Sequence, residues 1–148
     1  MDSQTWNERL NLIDSEFYAD FDKTLKCGPF DGGCVIVAQA LKQAFGGEIV
    51  VLVNEEGVAD HAVLLRDDML WDYDGPLEPK KFIARFNDLE IPYSPAADYR
   101  PIQEGDLDEA YRDDELAARL SILFKKAAPE LIPPSEEAMS ADPAATLC

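Results

Sequence analysis

The single histidine of this chain, His61, stands between a cysteine and an acid with which it could share catalytic work. It follows Cys34 by 27 residues and precedes Asp72 by 11. Cysteine, then histidine, then an acid is the chain order of thiol-nucleophile enzymes built on a helix packed against a sheet. In that chemistry the imidazole takes the thiol proton, the thiolate attacks a carbonyl carbon, and the acid orients the imidazole. The three residues therefore form a candidate catalytic triad.

Cys34 is predicted to begin a helix, directly after two glycines. Unpaired N–H groups and the dipole at a helix N-terminus favour a thiolate and can lower the thiol pKa from about 8.5. Gly32 and Gly33 allow a tight turn and leave backbone N–H groups bare, so Gly33 and Cys34 are predicted to supply an oxyanion site. The alternative interpretation is that Cys34 is a small buried residue with only a packing role.

The acid that faces His61 depends on how two predicted strands, residues 60–66 and 69–73, pair across a turn. With a two-residue turn, position 61 lies opposite position 74 and diagonal to position 72. A register shifted by two places it opposite position 72. Asp72 and Asp74 share the face of His61 in both registers, so the geometry leaves both acids open. The alternative for His61 is a core histidine whose polar atoms are simply satisfied.

Metal binding and redox chemistry are the rival uses of these residue types. Zinc sites need three or four ligands and close pairs such as C-x-x-C, whereas this chain has one histidine and no such pair. We therefore expect no metal and no cofactor. A redox pair of Cys27 and Cys34 is a weaker alternative, because their spacing is not that of a C-x-x-C motif.

The hydrophobic pattern predicts an α+β domain in which N-terminal helices pack on a small antiparallel sheet, with a further helix near the C-terminus. Residues 1–128 form this domain, and the Pro-, Ala- and Glu-containing stretch 129–148 is predicted to be a disordered tail. The predicted helices cover residues 4–20, 34–45, 79–86 and 106–127, and the predicted strands cover 48–53, 60–66 and 69–73.

Several element boundaries rest on individual residues. Ser3 is a plausible N-cap of the first helix, and Asp106 with Glu109 has the spacing of a capping box for the last. Asp74, Gly75 and Pro76 break the strand pattern, and residues 87–103 look irregular, with room for one more edge strand.

The net charge of −17 limits the classes of partner. A field of that sign repels nucleic acid and anionic membranes, whereas it suits a basic partner protein or simple solubility. The N-terminus is polar and acidic, unlike a signal peptide, and no apolar run reaches membrane-spanning length. These features predict a cytoplasmic protein.

The segments GGCVIVAQALKQAFGG, DHAVLL and LWDYDG resemble the core of the papain-like cysteine hydrolase superfamily. The similarity is greatest to its transglutaminase-like branch and to small papain-fold proteins of bacteria and phages. It implies a papain-like core in which Cys34 is the nucleophile and His61 the base. It also implies that Asp72, which follows Trp71, is the orienting acid in preference to Asp74. The resemblance covers about residues 27–76, and residues 26–31 carry no glutamine for the oxyanion, so backbone N–H groups would serve alone.

These observations together predict a thiol-nucleophile hydrolase or acyl transferase that acts on an amide of a peptide or protein substrate. The outcome could be that of a peptidase, an amidase or a deamidase. The small size, the charge and the missing glutamine favour an alternative, a catalytically inactive acidic protein of the same fold that binds and inhibits a partner.

Overall fold

The computed structural model describes residues 1–24 and 32–134 and has an α+β fold. The described residues form five α-helices, a short 3-10 helix and one five-stranded antiparallel sheet. In chain order the elements are α1 (Ser3–Leu10), α2 (Asp14–Thr24), α3 (Cys34–Phe45), β1 (Glu48–Val53), β2 (Ala59–Arg66), β3 (Met69–Asp72), β4 (Gly75–Leu77), α4 (Pro79–Glu90), β5 (Asp98–Pro101), α5 (Asp114–Ala127) and the 3-10 helix Pro129–Leu131.

The sheet has the strand order β4-β3-β2-β1-β5. The first four strands are therefore sequential neighbours, and β5 returns to pair with the free side of β1. The fifth strand lies within the stretch 87–103, where room for an edge strand was predicted. The strand pattern breaks near residues 74–76, where β3 ends at Asp72. The chain re-enters the sheet as β4, which the sequence analysis did not predict; β4 is an edge strand, and proline needs no N–H on the outer side of an edge.

A two-residue turn fixes the register of the β2–β3 hairpin. Arg66 pairs with Met69, and the two residues between them, Asp67 and Asp68, have φ angles of 53° and 62°. Positive φ at both central residues is the signature of a type I′ turn, which aspartate tolerates better than most residues. Of the two registers considered, the hairpin therefore adopts the one that places position 72 diagonal to position 61.

Helices cover both faces of the sheet. The apolar α3 lies on one face with α1, α2 and α5, around a core that includes Leu64 and Trp71. On the other face α4 covers Leu52, Val63 and other strand side chains with Phe82 and Phe86. Alternating strand residues thus point into two separate cores, and α4 makes the fold three-layered.

The helix predicted over residues 4–20 is in fact two helices. The N–H groups of Leu12 and Ile13 bond back three residues to the carbonyls of Arg9 and Leu10, at 3.0 and 2.9 Å. This tighter winding ends α1 and allows α2 to begin in a new direction. The apolar residues that suggested the helix are nevertheless all buried: Trp6, Leu10, Ile13 and Phe17.

Two predicted helix caps were also wrong. Asp2, not Ser3, caps α1, and Asp113 caps α5; each carboxylate accepts the backbone N–H three residues further on, at 2.8 and 2.9 Å. Helix α5 consequently begins at Asp114, eight residues later than predicted, and its buried face includes Leu116, Leu120 and Leu123.

The segment between β5 and α5 is a loop because its backbone cannot be helical. Gly105 and Leu107 have φ angles of 92° and 54°. Asp106 does not cap a helix; its carboxylate accepts two hydrogen bonds from the Arg100 guanidinium, at 2.7 and 3.0 Å. This ion pair fastens the loop to β5. The same loop forms one wall of a groove beside Cys34.

Contacts of the domain continue past residue 128. The 3-10 helix Pro129–Leu131 lies next to α5, and Leu131 packs against the helical core. Glu130 pairs with Arg9 of α1. Residues 135–148 of the predicted tail lie outside the described residues. Within the described part of the chain, no helix is both long and apolar enough to cross a membrane.

Replacement of Gly75 by alanine is expected to lower the free energy of unfolding by about 2–5 kcal/mol, measured by urea denaturation. Gly75 has a φ of 100°, and a Cβ there would lie 2.6 Å from a ring carbon of Trp6. The indole cannot easily move, because its N–H donates to the carbonyl of Tyr73 at 2.8 Å.

The matched control is Gly57→Ala. Gly57 has a similar φ of 82°, but no atom lies within 4 Å of the added Cβ. This variant should lose only the backbone part, about 1–2 kcal/mol. Equal losses in the two variants would contradict the account, because the Trp6 contact would then contribute nothing.

Candidate active site

Cys34 occupies the N-terminus of α3, as predicted. Gly33 is the N-cap and has no side chain to take up the N–H groups of the first helical turn. The Cys34 side chain is buried, with 7% of the residue exposed, and it packs beside Val51 and Ala62 of the sheet. The nucleophile candidate therefore lies where the helix N-terminus meets the start of β2.

His61 and Asp72 are paired inside the protein. The Nε2 atom of His61 lies 3.1 Å from Oδ2 of Asp72, and the two residues are only 3% and 6% exposed. This is the diagonal relation that the hairpin register requires. Asp74, the other acid left open by the sequence, contributes its backbone N–H, which donates to Oδ1 of Asp72 at 2.8 Å. The structure thus places Asp72 against the imidazole.

The thiol completes a continuous chain of three groups. The Cys34 thiol lies beside the His61 imidazole, and each group shifts the pKa of the other. Because Asp72 engages Nε2, Nδ1 is the ring nitrogen left for the thiol. The structure therefore brings together all three residues that the sequence singled out, in the order thiol, imidazole, carboxylate.

The surroundings of Cys34 and His61 favour a negatively charged thiolate beside a positively charged imidazolium. Burial alone would raise the pKa of Cys34, but His61 and the backbone N–H groups of Val35 and Ala62 outweigh it and lower that pKa. Burial opposes the imidazolium too, yet Asp72 and Cys34 raise the pKa of His61 to about 10. Each charge stabilises the other, so the two groups titrate as a pair. A thiolate–imidazolium pair is the expected state near neutral pH.

Two residues of α4 complete the site and were not identified from the sequence. The ring of Phe86 stacks on the imidazole, with centroids 4.9 Å apart and planes 19° from parallel. The Arg85 guanidinium lies 3.4 Å from Oδ1 of Asp72 and donates to the Gly75 carbonyl at 2.9 Å. Both residues end the helix predicted over 79–86. Nothing local to that helix indicates which strand it covers, so only tertiary packing reveals their role.

A groove of about 590 Å³ borders the thiol and the imidazole. Its walls come from the start of β2, from the end of α4 with the residues that follow, and from the loop between β5 and α5. Four acidic residues are among those that line it: Asp60, Glu90, Asp108 and Glu109. A substrate lying in the groove would reach Cys34 and His61 together.

Gly32 allows the groove wall to approach the nucleophile. Its φ is 95°, and a Cβ there would lie 3.1 Å from the ring of Tyr111. The N–H of Tyr111 donates to the Gly32 carbonyl at 2.8 Å. Gly32 therefore has a packing role that the sequence did not indicate, in addition to the predicted oxyanion role of Gly33 and Cys34.

Two other interpretations concern metals and redox chemistry. Within residues 1–24 and 32–134, no three His, Cys, Asp or Glu side chains are placed to hold a metal ion. Cys27, the partner in the redox alternative, lies outside the described residues. The thiol–disulfide hypothesis consequently stays a prediction.

Comparisons of the chain with protein-family models, with curated proteins and with solved structures found no match. The functional argument therefore rests on the geometry of the site. The papain-like core implied by the resemblance is an expectation, whereas the α+β fold is observed.

Proposed function

We propose that this protein is a thiol-nucleophile hydrolase or acyl transferase with a papain-like core, acting on an amide. The observation that carries the proposal is the buried chain of Cys34, His61 and Asp72 at the edge of a groove. A thiol with a lowered pKa beside an imidazole with a raised pKa is the electrostatic arrangement that activates a cysteine nucleophile.

The reaction follows from the positions of these groups. His61 holds the thiol proton, and the Cys34 thiolate attacks the carbonyl carbon of the amide. Backbone N–H groups at the N-terminus of α3 stabilise the oxyanion. The imidazolium then gives its proton to the leaving amine, and a thioester forms on Cys34. Attack by water releases an acid, whereas attack by an amine transfers the acyl group.

Asp72 and Phe86 serve this reaction through the imidazole. The carboxylate fixes the orientation and tautomer of His61 and stabilises its positive charge. The stacked ring of Phe86 covers one face of the imidazole and limits the access of water. Peptidase, amidase, deamidase and transglutaminase outcomes all use these same steps, and amide hydrolysis is the outcome we propose. A free thiol persists most readily in a reducing compartment, and we propose a cytoplasmic location.

The limited exposure of Cys34 favours a second candidate function. An enzyme of this type should present its thiol to the groove, yet Cys34 is only 7% exposed. A catalytically inactive acidic protein of the same fold, which binds or inhibits a partner, would tolerate a buried thiol. The two candidates differ in one property, the ability of Cys34 to form an acyl-enzyme.

Mass spectrometry of the protein mixed with a proteome-derived peptide digest separates the two. An enzyme should consume a subset of peptides, and the Cys34→Ala variant should consume none of them. Brief reaction followed by acid quenching should reveal acyl adducts on Cys34 alone. Identical digests for the wild type and Cys34→Ala, with no adduct, would contradict the hydrolase and leave the binding protein.

A further inference from the structure

The groove beside Cys34 is lined by carboxylates. Four acids reach it from three separate parts of the fold, and its lining within the described residues includes no lysine or arginine. Asp60 belongs to β2, Glu90 ends α4, and Asp108 with Glu109 lies in the loop before α5. Like charges brought to one concave surface create a local negative potential, stronger than scattered surface acids produce.

We propose that this groove binds a polypeptide segment carrying a lysine or arginine side chain next to the amide that Cys34 attacks. The inference rests on the proposed function, because it names the substrate class of that same site. A basic side chain would place its charge among the carboxylates while the neighbouring carbonyl carbon lies at the thiolate. The acids then determine specificity and take no part in the bond changes.

The residues at the end of α4 indicate a polypeptide and not a small amine. Leu89, Ile91 and Tyr93 are 60%, 79% and 106% exposed, and they alternate with Glu90 and Pro92, which line the groove. Large apolar side chains exposed beside a cleft are typical of a binding surface. A polyamine would satisfy the carboxylates but offer nothing to these side chains, whereas a peptide with apolar and basic residues matches both.

The backbone of this segment is held in a costly conformation. Ile91 has φ 45° and ψ 59°, a left-handed conformation that is rare for a β-branched residue. Asn87 braces the loop, because its side chain accepts the N–H of Ala96 at 2.9 Å and donates to the Ala96 carbonyl at 3.0 Å. The strained turn allows α4 to end with Glu90 at the groove and Ile91 in solvent.

Three thiol reagents of different charge test the electrostatic part of the proposal. Methanethiosulfonates with a trimethylammonium, a neutral or a sulfonate end would be reacted with Cys34 in a Cys27→Ser, Cys148→Ser background. The cation-to-anion rate ratio at Cys34 should exceed the same ratio for a small thiol in solution, such as 2-mercaptoethanol, by about tenfold at low salt. Rates would be followed by mass spectrometry of the Cys34 adduct.

Two matched double variants distinguish the effect of the carboxylates in the groove from the effect of the protein's net charge of −17. Asp60→Asn with Glu109→Gln should reduce the cation-to-anion rate ratio at least about threefold. Glu8→Gln with Asp68→Asn removes the same charge from exposed positions that do not line the groove, and should leave the ratio nearly unchanged. Equal reductions in the two double variants would overturn the proposal.

Peptide protection tests the choice of ligand. An acetylated Leu-Lys-Gly-Leu amide should slow the neutral reagent at Cys34, whereas the same peptide with norleucine for lysine should not. Protection by neither peptide, or by spermidine alone, would overturn the proposal. The rate with the neutral reagent reports separately on the proposed function. Suppose that the neutral reagent reacts slowly with Cys34 while the cation-to-anion rate ratio remains high. That result would contradict the proposed hydrolase but would still support a groove that binds a basic side chain.

Discussion

His61→Ala is expected to slow alkylation of Cys34 by iodoacetamide at about pH 6 by roughly 100-fold. In the wild type, His61 lowers the pKa of the thiol, so a thiolate is present at that pH. Without the imidazole, burial raises the pKa, and an ordinary thiol of pKa about 8.5 is ionised only to roughly one part in 300 at pH 6. The measurement is the rate of carbamidomethylation of Cys34 in a Cys27→Ser, Cys148→Ser background, because Cys27 and Cys34 lie on one tryptic peptide.

The rate at high pH is the internal control for this variant. At about pH 10 the thiolate forms without help, so wild type and His61→Ala should approach each other within about threefold. A persistent deficit there would indicate misfolding and not loss of the Cys–His couple. A wild-type rate at pH 6 that is as slow as the variant's would contradict the activated thiol itself.

Among substitutions that leave Cys34 and His61 in place, Asp72→Asn is expected to cause the largest loss of catalytic activity. The amide keeps the shape of the carboxylate but loses its charge, while the Arg85 guanidinium stays nearby. The pKa of His61 should fall by at least about 1–3 units, because the opposite charge that supports the imidazolium is gone. Turnover of any peptide that the wild type consumes should fall by about 10²–10⁴-fold, as when a triad acid is neutralised.

Asp74→Asn is the matched control, since it removes a carboxylate two residues away. Asp74 holds Asp72 through its backbone N–H, which asparagine retains. Burial and the neighbouring Asp72 raise the pKa of the Asp74 carboxyl, whereas the contacts that raise the pKa of His61 come from Asp72 and Cys34. The pKa of His61 should change by less than about half a unit. A larger effect from Asp74→Asn than from Asp72→Asn would show that the wrong acid has been assigned.

The hairpin shows why an acid beside His61 could be predicted from the sequence. Strand residues alternate between faces, and a two-residue turn permits few registers, so the sequence alone places His61 on the face shared by Asp72 and Asp74. The preference for Asp72 came from the resemblance to papain-like proteins. The glycine pair before Cys34 likewise marks a helix start. Both predictions depend on residues that are close together in the sequence. The pairing across the hairpin could be predicted in this way because the turn that joins its strands has only two residues.

The parts that sequence reasoning missed depend on distant contacts. Phe86 reaches His61 because α4 covers one face of the sheet, which no periodicity within α4 can reveal. The start of α5 was misplaced for a similar reason, since Asp106 has a good capping spacing but is engaged by Arg100 of β5. The capping pattern at Asp106 does not start a helix, because its carboxylate is paired with Arg100 and the backbone nearby is left-handed.

The most direct test of the central claim is an NMR titration of the imidazole. The chain has one histidine, so its ring signals need no assignment by mutation. We expect His61 to stay protonated through neutral pH with a midpoint near 10, and Cys34→Ala to lower that midpoint because the thiolate no longer supports the charge. A midpoint at or below about 6.5, unchanged in Cys34→Ala, would contradict the thiolate–imidazolium pair and with it the proposed hydrolase.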